Sequence, residues 1–334
     1  MTPPRVSVLM TAFNRAPYIA SSIRSVLAQT FTDFELLIVD DQSTDGTPDV
    51  ARELQRQDSR IRVVVNERNL GDYGNRNRAA TFARGSFLKY HDSDDLMYPH
   101  CLEIMVSMLE AEPRAGFGLS SGHAWPGGPC PMLLTPRMAY QREFLGSGLF
   151  MCGPGGSIFR SDVFRALGGF PLLGPHSDAL FWLHACKTTP CVLMPADLFW
   201  YRVHSGQHLQ TAAGQYDALP LFKRVWEALD SPDCPLTEEE REQAKRNSTF
   251  NLARKTLQDL RGRRWRLAAE RVRRSSMTIP GWVKYLRLPK RNVSAGTPRG
   301  PEGDFLVPSW VDSGPAYACA MNATHSRAQG PVGR

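Results

Sequence analysis

What the sequence lacks narrows its class before any motif is read. No apolar run approaches the roughly eighteen residues that a membrane-spanning helix needs. The N-terminus, Met1-Thr-Pro-Pro-Arg5, leads into a short strand-like run with no signal-peptide core, so a cytoplasmic location is expected. The seven cysteines are scattered without a C-x-x-C pair, which leaves no case for a disulfide framework or a zinc knuckle. Asn247, Asn292 and Asn322 each begin an N-x-S/T sequon, of little weight without a route to secretion. No G-x-G-x-x-G follows a strand, so plain dinucleotide binding is disfavoured, and there is no internal repeat.

What is present fits a folded protein. The 334 residues are 42% hydrophobic, enough for one large domain or two moderate ones. The net charge of +7 is concentrated: between Arg254 and Arg291, thirteen Lys or Arg face only Asp259 and Glu270. A helical stretch of that charge suits an anionic membrane surface or a nucleic acid, or is simply a solvated helix face.

Short apolar runs and helical spacing alternate through the first 120 residues. Val6 to Met10, Phe34 to Val39, Ile61 to Val65 and Phe87 to Tyr90 read as buried strands. Helical patterns follow them at Ile19, Ile23, Val26 and Leu27, then at about 46–57, 73–83 and 99–110. Strict alternation predicts an α/β fold with a parallel sheet and right-handed crossovers. From His123 to Leu149 the density of Pro and Gly predicts a long loop, a lid candidate over the site. Residues 150–204 return to mixed strand and helix, with a short helix at 179–186. From Tyr216 to about Tyr285 the pattern is helical, with Leu221, Val225 and Leu229 on one stripe. The Gly-, Pro- and Ser-rich segment beyond Arg291 is expected to be disordered.

In an open parallel sheet, ligands bind outside the carboxyl ends of the strands. Three polar clusters fall at such ends: Thr11-Ala-Phe-Asn14, Asp40-Asp-Gln-Ser-Thr-Asp45 and Asp92-Ser-Asp-Asp95. The last puts three carboxylates in four positions, which repel by about 1 kcal/mol per close pair in water and about 4 where partly shielded. Mg²⁺ or Mn²⁺ would turn that repulsion into binding and complete its shell with substrate phosphates. The alternative is a solvated acidic turn capping the helix near Pro99. Convergence of all three clusters on one edge favours the cation and diphosphate.

Taken in order, these motifs resemble the GT-A-fold nucleotide-sugar glycosyltransferases of family 2. The resemblance rests on Val6 to Asn14, Gln29 to Glu35, Val39 to Gly46, Asn69-Leu-Gly71 with Asn75-Arg-Asn77, Asp92 to Asp95, Gly168-Gly-Phe170 and Tyr201-Arg-Val-His204. It covers roughly residues 5–210. It implies a Rossmann-like, mostly parallel central sheet flanked by helices, followed here by a C-terminal helical extension. The implied division is a glycosyltransferase domain over 1–215, with a nucleotide-sugar half to about 122 and an acceptor half over 123–215. A basic helical extension over 216–290 and a disordered tail over 291–334 complete it.

The resemblance also assigns roles. Asp41 matches the carboxylate that accepts from the nucleotide base, with Thr11 and Phe13 beside base and ribose and with Asp40 and Asn14 shaping the pocket. A helix-capping role for Asp40, Asp41 and Ser43 stays open. Asn69 and Asn77 either contact the nucleotide sugar or brace the loop. Asp92, with Ser93, lies near the ribose, Asp94 is a metal ligand, and Asp95 stands behind them. His204 matches the late histidine that meets the cation or diphosphate; His208, four residues on, has Gly206 between them and no helical support for a zinc site. The general base that deprotonates the acceptor hydroxyl falls on Asp178, although Ser177 stands where the family has Glu. An N-cap role for Asp178 is the competing reading.

The implied activity is inverting transfer of one sugar, with Mn²⁺ or Mg²⁺, from a nucleoside diphosphate sugar, a UDP-sugar favoured, to a hydroxyl acceptor, glycan or lipid-linked. Peripheral membrane contact through 254–291 is expected, and nucleic acid is not. Arg261-Gly-Arg-Arg-Trp265 fits the R-x-x-R-W string of processive synthases but lies too far along the chain, so it reads as coincidence. Two rivals remain: a nucleotidyltransferase, against which the first strand end lacks a Gly-rich phosphate loop, and a non-catalytic nucleotide-sugar-binding module, to which Ser177 lends weight.

Overall fold

The computed structural model describes residues 2–121, 130–150, 152–204, 221–275, 277 and 280. The expected lid residues 123–129, His208, Asn292, Asn322 and the segment 291–334 lie outside the described residues.

Five strands and four helices open the chain. They are β1 (Val6–Ala12) and α1 (Ala16–Leu27), β2 (Phe34–Asp40) and α2 (Thr47–Gln57), β3 (Ile61–Val65) and α3 (Asp72–Phe82), β4 (Phe87–Asp92), and the short β5 (Leu96–Met97) with α4 (Cys101–Glu110). Then come β6 (Phe117–Ser120), β7 (Met132–Leu134), α5 (Pro136–Leu145), a 3-10 turn (Pro154–Gly156), β8 (Ser157–Arg160), α6 (Ser161–Ala166), α7 (Ser177–Ala185), β9 (Cys191–Met194) and β10 (Phe199–Trp200). Three further helices follow: α8 (Leu221–Asp230), α9 (Glu238–Arg261) and α10 (Trp265–Arg274).

One eight-stranded sheet runs β3-β2-β1-β4-β8-β6-β9-β7, and a two-stranded sheet pairs β10 with β5. The first four strands are parallel, β8 is antiparallel to both β4 and β6, β9 is parallel to β6, and β7 closes the edge antiparallel. Every residue of β1 and β2 is buried, as suits strands covered by helices on both faces. The two-residue pleat sends Leu9, Leu37, Leu88 and Tyr90 to one core and Val8, Met10, Leu36 and Ile38 to the other.

The region expected to be a long loop carries β7 and α5. Proline read as a breaker, but Pro136 opens α5, where a missing N–H costs nothing, and the Thr135 hydroxyl caps the helix by accepting from the Met138 amide. The continuous helical pattern after 216 is three helices, cut at Ser231–Thr237 and at Gly262–Arg264. A reciprocal Thr237–Glu240 capping box starts α9. Glu240 also accepts from Arg137 and Gln141 of α5, contacts that outweigh burial and lower its pKa to about 2. The Asn247 side chain donates to the Phe144 carbonyl at 2.9 Å. These bonds fasten α9 to α5.

Candidate active site

The carboxyl end of β2 folds its polar residues inward. Asp40 Oδ1 accepts from the Ser43 amide at 2.9 Å and Oδ2 from the Ser43 hydroxyl at 2.5 Å. Asp41 is buried, and its oxygens accept from Asn66 Nδ2 at 2.8 Å and from the Leu70 and Gly71 amides at 2.9 Å. Both carboxylates hold turns in place. Asn14, at φ 52°, accepts from the Thr44 amide and donates its own amide to Ser43. Asn69 donates to the Asp41 carbonyl at 2.9 Å. Thr11 is buried beneath this rim, while the Phe13 ring is 47% exposed, open to stack on a flat ligand.

Asn77 is a brace. Its Nδ2 donates to the Phe170 carbonyl at 2.8 Å and its Oδ1 accepts from the Phe170 amide at 2.9 Å. This clasp joins α3 to the Gly168-Gly169-Phe170 turn, whose two glycines sit at φ 80° and 74°.

The acidic cluster at the end of β4 is compensated from within the chain. Asp92 Oδ1 lies 2.7 Å from Arg76 Nη2 on α3; burial works to raise the Asp92 pKa, and this guanidinium more than offsets it. Asp94 Oδ2 meets Arg15 Nε at 2.8 Å and His204 Nε2 at 2.9 Å. Asp95 accepts from the Arg202 amide at 2.9 Å; among the described residues its second oxygen has no partner. Burial first, and then the Asp92 charge, push Asp95 up to about 8, so at neutral pH it is mostly uncharged. Asp92 and Asp94 are each met by an arginine. Ser93 is buried between them.

Arg202 secures the segment that presents His204. Its Nε donates to the Asp94 carbonyl at 2.6 Å, and its guanidinium stacks over Tyr18 and Trp200. The Tyr18 and His204 rings lie 4.5 Å apart. Asp94 Oδ2 and His204 Nε2 lie 2.9 Å apart as a hydrogen-bonded pair, one oxygen and one nitrogen that would be the protein ligands of a Mg²⁺ or Mn²⁺. Among the described residues no group of three Asp, Glu, His or Cys gathers around one point. A cation held by this pair would draw its other ligands from substrate and water.

Asp178 lies in the first turn of α7, with His176 as the N-cap residue, rather than capping a helix that starts at 179. An aromatic layer sets this helix against the sheet: Phe159 stacks on Trp182 at 5.5 Å, and Phe170 and Phe181 pack at 5.0 Å. Trp182 Nε1 donates to the Cys152 carbonyl at 2.8 Å. Ser177 accepts from the Leu173 amide and donates to the Gly174 carbonyl, so it closes the loop ahead of Asp178. Burial pushes Asp178 up to about 6, against the Ala179 amide, the Arg76 guanidinium and the Tyr73 hydroxyl, which hold it down. A carboxyl near 6 suits proton abstraction at neutral pH.

Arg76 joins the two carboxyl centres and escaped the sequence reading, as did Arg15, Tyr73 and Arg202. It bonds Asp72 at 2.8 Å and Asp92 at 2.7 Å, and it faces Asp178. Its buried Nη1 has no partner among the described residues. A signal was present: Arg76 shares the buried stripe of α3 with Tyr73 and Ala80, where a charge is costly unless paired.

The model of Glycosyl transferase family 2 matches residues 7–168. The chain is 41% identical over 104 residues to the Escherichia coli UDP-Glc:alpha-D-GlcNAc-diphosphoundecaprenol beta-1,3-glucosyltransferase WfgD, covering 31% of this chain and 40% of that one. It is 31% identical over 147 residues to the Campylobacter jejuni GalNAc(5)-diNAcBac-PP-undecaprenol beta-1,3-glucosyltransferase, covering 44% of each. The match thus spans about two fifths of these relatives' length. In fold, the Pyrobaculum calidifontis mannosyltransferase PcManGT, solved with GDP-Man and Mn²⁺, superposes with a TM-score of 0.55 at 19% identity, over 86% of this chain and 88% of that one. Staphylococcus aureus TarS with UDP-GlcNAc gives 0.55 at 22% identity, over 72% and 70%. Residues 7–168 thus match glycosyl transferase family 2, and the chain shares the GT-A fold of these solved neighbours.

Proposed function

We propose that the chain is an inverting, metal-dependent glycosyltransferase that moves one sugar from a nucleoside diphosphate sugar, a UDP-sugar in our reading, to an acceptor hydroxyl. The observation that carries it is Arg76: its buried guanidinium pairs with Asp92 at 2.7 Å and lies near enough to Asp178, a carboxyl at about 6, to hold that group's pKa down. In this reading residues 1–122 bind the donor, with Phe13 stacking on the base and Asp40, Asp41, Asn14 and Asn69 shaping the rim. Residues 123–215 supply the acceptor side.

Asp94 and His204 would hold Mn²⁺ or Mg²⁺, which supplies neutralisation of charge on the departing diphosphate. Arg76 Nη1, buried with an unused donor, is placed to bond a donor oxygen beside Asp92. Asp178 takes the proton from the acceptor hydroxyl as that oxygen forms its bond to the anomeric carbon. Attack from the side opposite the leaving diphosphate gives inversion. The named relatives that transfer to undecaprenol-linked sugars support a lipid-borne acceptor, and hence work at the cytoplasmic membrane face.

A panel of UDP-, GDP- and dTDP-sugars with Mn²⁺ tests the reading. One donor should raise the melting temperature, since a ligand that binds only the folded state stabilises it, and EDTA should abolish the shift. No EDTA-sensitive shift and no donor hydrolysis across the panel would sink it.

A further inference from the structure

The charge-rich string Arg261-Gly-Arg-Arg-Trp265 is the tip of a helical hairpin. Residues 261–266 are all exposed, and four of the six are arginine. Asp259 is buried and holds Arg264 and Arg271 at 2.7 and 2.8 Å, and Glu270 pairs with Arg273 and Arg274, so both nearby acids are spent within the hairpin. Arg261, Arg263 and Arg266 form no ion pair among the described residues. On α10, Trp265, Ala269 and Val272 recur at i, i+4 and i+7 and are all exposed, Trp265 by 63%. The opposite side of α10 buries Leu267 and Ala268.

We propose that this hairpin tip docks on an anionic lipid bilayer, with Trp265, Ala269 and Val272 entering the interface and Arg261, Arg263 and Arg266 meeting headgroup phosphates. An exposed apolar stripe bordered by arginines is the chemistry of an interfacial helix, and each cation near an anionic surface adds attraction. A nucleic acid would use the arginines but leave the aliphatic part of the stripe unmatched. The placement also bears on the site. The Lys255 ammonium of α9 lies close enough to His176 to add to burial in lowering that histidine, and His176 precedes Asp178 by two residues. Gly262 is about 10 Å further along α9, at about 1.5 Å per residue. α9 therefore runs from the neighbourhood of His176 to the tip that docks, which would keep the site within reach of the bilayer. That docking presents a lipid-borne acceptor to Asp178 rests on the function proposed above; the docking itself does not.

Flotation of the full chain with vesicles of phosphatidylcholine, with and without 30% phosphatidylglycerol (about 30%, enough for a strong anionic surface), tests it. Binding is expected to the anionic vesicles alone, to weaken with salt, and to fall about a hundredfold on replacing Arg261, Arg263 and Arg266 with Gln. Trp265→Ala should remove the membrane-induced blue shift of tryptophan emission. Both variants alter exposed side chains and should melt as the parent does, and sugar transfer to a soluble acceptor should be unchanged. Equal binding to neutral vesicles, undiminished binding of the triple variant, or displacement from vesicles by RNA without a Trp265-dependent shift would overturn the proposal. Loss of transferase activity in the parent protein with docking intact would instead strike the function proposed above.

Discussion

Replacing Asp178 with Asn should abolish transfer and at the same time stabilise the folded chain at neutral pH. The folded carboxyl titrates at about 6 instead of 3.8, chiefly because burial disfavours its charge. That rise corresponds to roughly 3 kcal/mol against the ionised form. A carboxyl raised in this way favours the folded state fully below 3.8 and loses that contribution as pH climbs to about 6. Above that window the buried carboxylate is a constant burden, which a carboxamide lacks while still accepting from the Ala179 amide and the Tyr73 hydroxyl. Urea unfolding near pH 7.5 should find the variant more stable by up to about 3 kcal/mol, with the gain vanishing near pH 4. In kinetics, losing a positioned base removes about 10²–10⁴ in rate. The parent's kcat/KM should rise about tenfold between pH 5 and 7 as the ionised fraction climbs from about 0.09 to 0.9. A variant that keeps activity within a few fold would refute the base assignment, and one that unfolds more easily at pH 7.5 would refute the burial argument.

Three further outcomes follow from the geometry. Arg76→Gln removes a charge that holds Asp178 down, so the acid limb of the pH profile should move above about 6 and donor affinity should fall, read from kcat/KM against pH. Asp94→Asn and His204→Ala should each weaken the Mn²⁺-dependent melting shift with donor at least tenfold in apparent metal affinity, checked by titration; a metal response unchanged in both would remove the pair from the cation site. Gly169→Ala places a Cβ at a φ of 74° and 2.7 Å from Asn77 Oδ1, which should cost about 1–3 kcal/mol of stability, measured by urea unfolding.

The donor half was legible because its strands are continuous apolar runs and its turns carry Asp, Asn and Gly at strand ends. The expected third strand, Ile61 to Val65, matches β3 residue for residue. The acceptor side was less so: Pro136 looks like a break in sequence and works as a helix start, and the step from Leu145 to Ser157 depends on contacts with Glu143 and Trp182. At the site, sequence showed three neighbouring carboxylates and suggested unbalanced repulsion. Their partners, Arg15, Arg76 and His204, arrive from the residue ahead of α1, from α3 and from the segment after β10, all distant in sequence. Burial then removes most of the charge of Asp95, which no count of acidic residues can foresee. The Asp178 shift has the same origin, since it comes from burial in the first turn of α7, the helix that the aromatic layer of Phe159, Phe170, Phe181 and Trp182 sets against the sheet.

The sheet order has a mechanical consequence. β4 pairs with β1 on one side and β8 on the other, so the two halves share one slab with no linker at their seam. The gap between Asp92 and Asp178 is spanned by a helix and a clasped turn rather than by a hinge. Such a frame works as a caliper with fixed jaws. Under the function proposed above, fixed jaws would select on bulk at the reacting oxygen and not on how far the acceptor extends beyond it.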